Sequence, residues 1–187
     1  MSGHIPIANY YNLDEQDNVR KAHILRYYIA KGFLGKNDTV LDIGCGVGYG
    51  CHMLSQQALK VIGVDNDIRC VNAAKQVYAK NNIEFIHHDI QNYNMKKFDI
   101  ITAFESLEHL NKPYEVIDKM MENANKFFLI STPNIVSAGI NSLHKHDLFA
   151  KDLSEYIISK GKWNHIHPLV EGISTICIYY RKETKNE

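Results

Sequence analysis

The chain has 187 residues, and Lys plus Arg equals Asp plus Glu at 21 each, so the formal charge is zero. At about 100–200 residues per domain this is one domain, long enough to bury a core without disulfide staples. The charge balance excludes a protein that holds nucleic acid mainly by bulk positive charge, and 45% apolar with 22% charged residues excludes a disordered chain.

In chain order, the first predicted element is a helix over Asp17–Lys31. Thr39–Ile43 is short, β-branched and ends at glycine, and it reads as a strand. A helix over Tyr49–Ala58 follows, then a strand over Lys60–Val64. Asp67–Asn81 carries Val71, Ala74, Val77 and Tyr78 at helical spacing. Strands follow at Ile83–Ile86 and Phe98–Phe104. Pro113–Asn123 is a helix with proline where its missing N–H is harmless. Lys126–Ser131 is a strand and Lys151–Lys160 a helix. Trp163–His167 and Thr175–Tyr180 lie close enough in sequence to form an antiparallel hairpin at the sheet edge. Alternating strands and helices with short connections imply an α/β domain with a mostly parallel sheet. Near-continuous apolar strands imply that both sheet faces are covered.

No apolar run approaches the ~20 residues of a membrane helix. Residues 1–11 have no basic region followed by an apolar one, so neither a membrane span nor a secretory leader is expected. Cys45, Cys51, Cys70 and Cys177 lack a C-x-x-C spacing. They are expected to be free thiols in a reducing cytoplasm.

The most informative stretch is Val40-Leu41-Asp42-Ile43-Gly44-Cys45-Gly46-Val47-Gly48-Tyr49-Gly50. A strand enters a glycine-rich turn and leaves it as a helix. Glycine lets the backbone turn tightly and approach a ligand closely, and a helix start offers free N–H groups to a polar ligand. Asp65, about 20 residues on at the end of the second strand, can accept both hydroxyls of a ribose. The dinucleotide pattern G-x-G-x-x-G does not fit, because the third glycine position is Tyr49 counted from Gly44 and Cys51 counted from Gly46.

This stretch resembles the first motif of the class I S-adenosylmethionine-dependent methyltransferases. The resemblance continues through V-I-G-V-D-N-D-I, I-E-F-I-H-H-D-I, F-D-I-I-T-A-F-E-S-L-E-H-L and F-F-L-I-S-T-P-N, covering about residues 38–134. It implies a Rossmann-like fold with a seven-stranded, mostly parallel sheet, helices on both faces and an antiparallel edge strand. It implies S-adenosylmethionine as cofactor. Gly44, Cys45 and Gly46 would line its methionine portion, and Asp65 its ribose, with Asn66 alongside. Asp89 and Ile90 would contact adenine, Phe104 and Glu105 would face the sulfonium, and Asp42 would order the loop and meet the ammonium group. On this reading residues 1–37 form an N-terminal cap, with Tyr10, Tyr11 and Arg26 as candidates to close over the cofactor. Residues 38–134 form the cofactor-binding core, and residues 135–187 the acceptor-side loop, helix and final strands.

Glu105, Glu108 and His109 follow the fourth strand, and strand C-terminal ends are where ligands sit in open α/β sheets. On a helical turn they share one face and could bind a divalent cation such as Mg²⁺, or supply a general base. The plain alternative is that Glu108 and His109 brace the turn. The E-x-x-E-H string is similar to one in ubiquinone-biosynthesis O-methyltransferases. It is also similar to one in RNA 3′-terminal 2′-O-methyltransferases, where a further histidine follows the T-P-N segment; His144 or His146 would be that residue. The leading expectation is O-methylation of a hydroxyl on a small molecule or sugar. The alternatives are a metal-assisted methyltransferase of RNA ends, which zero net charge weighs against, and a cofactor-binding partner subunit without turnover.

Overall fold

Strand and helix alternate along the computed structural model as the apolar pattern requires. The described residues are 18–133, 144–171 and 174–182. In order they form α1 (Asn18–Lys31), β1 (Thr39–Ile43), α2 (Tyr49–Ser55), β2 (Lys60–Asp65), α3 (Ile68–Tyr78), β3 (Ile83–His87) and β4 (Phe98–Phe104). A single 3-10 turn (Leu107–His109) comes next, then α4 (Pro113–Asn123), β5 (Ala124–Pro133), α5 (Ala150–Ser159), β6 (Trp163–Glu171) and β7 (Ser174–Arg181).

The strands make one seven-stranded sheet of order β3-β2-β1-β4-β5-β7-β6. The first five run parallel. β7 runs antiparallel between β5 and β6, so the final hairpin completes the sheet and leaves β6 at the edge. Successive strand residues point to opposite faces, and the core divides accordingly. Leu41, Ile43, Ile101, Ala103, Phe128 and Ile130 face a cluster containing Met120 of α4 and Ile157 of α5. Val40, Ile100 and Leu129 face the other, with Tyr27 of α1, Leu54 of α2 and Val71 of α3.

Two helices are shorter than their sequence pattern. α2 stops at Ser55 because the Gln57 and Ala58 amides both turn back to the Leu54 carbonyl. α3 stops at Tyr78 because Ala79 is extended and Lys80 bridges Ile83. The Asn82 side chain then donates to the Ser55 and Ala58 carbonyls, tying both helix exits together. β5 runs past its predicted end to Pro133, where the register with β7 pairs Pro133 with Ser174. No helix among the described residues is long and apolar enough to cross a membrane.

Candidate active site

The strand order reverses between β1 and β4, and the sites of open α/β sheets lie at the carboxyl ends of strands at such a point. The loop after β1 is held from two sides. The Gly44 and Cys45 amides donate to the Val64 carbonyl at 2.9 and 3.2 Å. The Gly46 amide donates to Asp65 Oδ2 at 2.8 Å, and the other oxygen of Asp65 accepts the Asp67 amide at 2.8 Å.

Gly44 and Gly46 are glycines for different reasons. Both have positive φ, +69° and +54°. A side chain on Gly44 would strike the Ser106 Cβ, 2.6 Å from where its own would stand. The cofactor loop therefore touches the turn that carries the acidic cluster. A Cβ on Gly46 would meet nothing within 4 Å. That open face lies above a loop fixed by Asp65. Cys45 contributes backbone only, since its side chain is buried.

Asp42 lies beneath the loop and is fully buried. Thr102 donates to it at 2.6 Å, Tyr27 at 3.1 Å and Cys51 at 3.3 Å. Burial pushes its carboxyl up to about 6, and the three donors restrain the rise. In this arrangement Asp42 is enclosed by donors from β4, α1 and α2. Tyr27 holds the network from α1 and packs edge-on against Phe104 and Tyr49. Tyr27 was not legible from sequence, since a tyrosine in a helix reads as ordinary core. At the end of β3, Asp89 accepts from the Gln91 amide and the Asn92 side chain, both at 2.9 Å. It is half-buried, beside buried Ile90, and Asn66 is exposed beyond Asp65. Tyr10, Tyr11, Asn134 and Asn141 lie outside the described residues.

The acidic cluster is regrouped relative to the sequence reading. Glu105 has φ +47°, so the segment is not one helical turn and the three residues do not share a face. Glu105 turns toward the sheet, accepting from Ser131 at 2.8 Å and Ser174 at 3.2 Å, with the buried Arg26 guanidinium 3.7 Å away. Its place beside Glu108 and His109 is taken by His144, arriving from the segment before α5. One ligand atom from each of Glu108, His109 and His144 lies within 4.8 Å of the others. The two imidazole rings meet edge-to-face at 4.8 Å.

Glu108 is fully buried, and neither carboxyl oxygen has a hydrogen-bond partner among the described residues. Burial, then the charge of Glu105, pushes it up to about 8; its own amide and Arg26 offset part of the rise. Burial and neighbouring His109 push the His144 imidazole below its ordinary value of 6.5, against the opposing pull of Glu105 and Asp147. It is therefore neutral, and a proton acceptor, at pH 7. One carboxylate with two imidazoles suits a first-row transition ion such as Mn²⁺ or Zn²⁺ better than Mg²⁺, which favours an oxygen shell.

The sheet order, the glycine loop and the carboxylate after β2 are those of the class I S-adenosylmethionine-dependent methyltransferases. The chain belongs to the methyltransferase domain family, whose model matches residues 34–172. It is similar, at 35% identity over 136 residues, to a methyltransferase of Invertebrate iridescent virus 6, a match covering 65% of this chain and 50% of that protein. It is 31% identical over 116 residues to a ubiquinone biosynthesis O-methyltransferase of Haemophilus ducreyi, covering 56% of this chain and 48% of that one. The chain spans about half the length of the curated relatives it matches. Among solved structures it resembles the N-methyltransferase NodS of Bradyrhizobium japonicum in complex with S-adenosylhomocysteine. That match has a TM-score of 0.74 and 16% identity, and covers 92% of each chain. The magnesium protoporphyrin IX methyltransferase of Synechocystis with bound S-adenosylhomocysteine gives 0.68 at 20% identity, covering 88% of this chain and 83% of that one. At these identities the structural likeness speaks for the fold alone.

Proposed function

We propose that the chain binds S-adenosylmethionine over Gly44–Gly46, Asp65 and Asp89 and O-methylates a hydroxyl group of a small molecule or sugar. When bound, that cofactor supplies an electrophilic methyl group on a sulfonium. The observation that carries the reading is the contact between Gly44 and Ser106, which sets the Glu108–His109–His144 cluster against the cofactor loop. Asp65 fixes the loop and offers remaining lone pairs to the ribose hydroxyls. His144, neutral at pH 7, accepts the proton of the acceptor hydroxyl as oxygen attacks. His109 packs edge-to-face against it and helps keep it neutral before the proton arrives. Placing donor and acceptor in line supplies much of the rate. The ubiquinone O-methyltransferase among the relatives supports oxygen as the methylated atom.

The unpartnered Glu108 carboxyl supports a metal-assisted form of the same reaction. Glu108, His109 and His144 would hold a divalent ion, which when bound lowers the pKa of an oxygen it contacts. Mg²⁺, one candidate raised by the sequence, is tried beside Mn²⁺ and Zn²⁺.

The test is calorimetric titration of S-adenosylhomocysteine, with each ion and then with EDTA. Transfer of labelled methyl groups to a panel of catechols, sugars and RNA 3′ ends follows. His144→Ala should abolish transfer while leaving S-adenosylhomocysteine affinity within about threefold, an offset of under 1 kcal/mol. Failure of the wild type to bind S-adenosylhomocysteine sinks the cofactor reading. Transfer confined to RNA ends replaces the acceptor reading.

A further inference from the structure

Gln91 sits between two sites that the chain brings together and touches both. Its amide and side-chain Nε2 donate to Asp89 Oδ1 at 2.9 and 3.3 Å. Its side-chain oxygen accepts two consecutive backbone amides, Asn111 and Lys112, at 3.0 Å each. Its carbonyl accepts Lys119 Nζ, from the middle of α4, at 2.6 Å. The two amides need such a partner. They precede Pro113, and the side chain of Lys112, which begins α4, makes no cap. Gln91 thus supplies from 21 residues upstream the cap that α4 does not make for itself.

The connection continues past Asn111. Its side chain accepts Lys145 Nζ at 2.8 Å, and its carbonyl lies 3.3 Å from His146 Nε2. The Lys145 amide donates to the Glu108 carbonyl at 2.8 Å. The adenine-side loop, the start of α4 and the segment carrying His144 are therefore joined by consecutive hydrogen bonds through one glutamine side chain.

We propose that Gln91 is a positioning residue that couples cofactor occupancy at Asp89 to the placement of segment 144–149, and hence of His144. This rests on the cofactor reading above. A ligand that orders Asp89 removes freedom from Gln91, and Gln91 passes that order to Asn111, Lys112 and the docked segment. A cap serving α4 alone would raise stability equally with and without cofactor; a coupler makes the order of 144–149 depend on the cofactor.

The test is hydrogen–deuterium exchange on the full chain, with and without saturating S-adenosylhomocysteine, alongside calorimetry and melting curves. In the wild type the ligand should slow exchange across 144–149 by about fivefold or more, as local opening becomes costlier. In Gln91→Ala that slowing should fall below about twofold, while affinity changes by less than about threefold. Gln91→Glu keeps an oxygen for both amides but loses the donor to Asp89, so it should preserve the cap and still fail to restore the slowing; full restoration would show a cap alone and overturn the coupling. Equal ligand-induced slowing in wild type and Gln91→Ala overturns the proposal, as does its absence from a wild type that binds the ligand. A wild type that does not bind S-adenosylhomocysteine overturns the cofactor reading, and the coupling with it.

Discussion

The two strand ends that meet at the switch point treat a buried carboxyl group in opposite ways. Asp42, at the end of β1, is enclosed with a donor for each oxygen. Glu108, beyond β4, is equally buried with none among the described residues. Both are pushed upward by burial, to about 6 and about 8. A buried polar group that is satisfied belongs to the scaffold, whereas one that is not costs roughly 1–3 kcal/mol until something meets it. The carboxyl after β1 is satisfied by the protein itself, and the one after β4 is not satisfied by any described residue.

The largest effect that could break this contrast is at Glu108. Glu108→Met should lower methyl transfer by at least about a hundredfold while raising the melting temperature by a few degrees, because an unpartnered carboxyl is replaced by packing of similar volume. A fall in melting temperature would mean that Glu108 is a structural brace. On the donor side the signs reverse. Asp65→Ala frees the Gly46 and Asp67 amides and should weaken S-adenosylhomocysteine binding by about 10–100-fold, as expected for charge-assisted hydrogen bonds, with the fold retained. Unchanged affinity in calorimetry would remove Asp65 from the site. Gly46→Val puts a β-branched residue at φ +54° with its side chain in the open face. It should block ligand binding and cost about 1–3 kcal/mol of stability, read from urea unfolding.

The last effect concerns pH and leaves methyl transfer aside. The folded Asp42 carboxyl binds its proton more tightly than the unfolded one, whose value is near 3.8. Between about pH 4 and 6 the native state therefore holds more protons, and stability falls as pH rises, by up to about 3 kcal/mol, then levels off. Asp42→Asn should lack this contribution, so the difference between variant and wild type should change across that window and stay constant above it. A constant difference from pH 4 to 8 would show that Asp42 titrates normally.

The elements and the cofactor loop were legible because their information is local. A β-branched run ending in Gly44-Cys45-Gly46 carries its own geometry, and every strand but β6 was visible as an apolar run; β6 was visible only as half of a hairpin, and it and β5 run longer than their patterns. The acidic cluster was visible as composition and not as arrangement. Helical spacing put Glu105 with Glu108 and His109, but the hydroxyls of Ser131 and Ser174, 26 and 69 residues away, draw Glu105 off in a left-handed backbone. His144, noticed as a candidate, replaces it only because Lys145 docks on the Glu108 carbonyl. Tyr27 and Gln91 escaped for the same reason, since their partners are fixed by the finished fold and not by neighbours in sequence.

The placement of β7 bears on synthesis as well as on shape. β5 and β6 precede it from the ribosome, yet neither can pair with the other, because β7 fills the gap between them. Until Ser174–Arg181 emerges, the edge of β5 that β7 covers stays open. The same late strand brings Ser174 to Glu105. A nascent chain thus passes through an interval in which β5 lacks its outer neighbour and Glu105 lacks one of its donors, and a single insertion event ends both conditions.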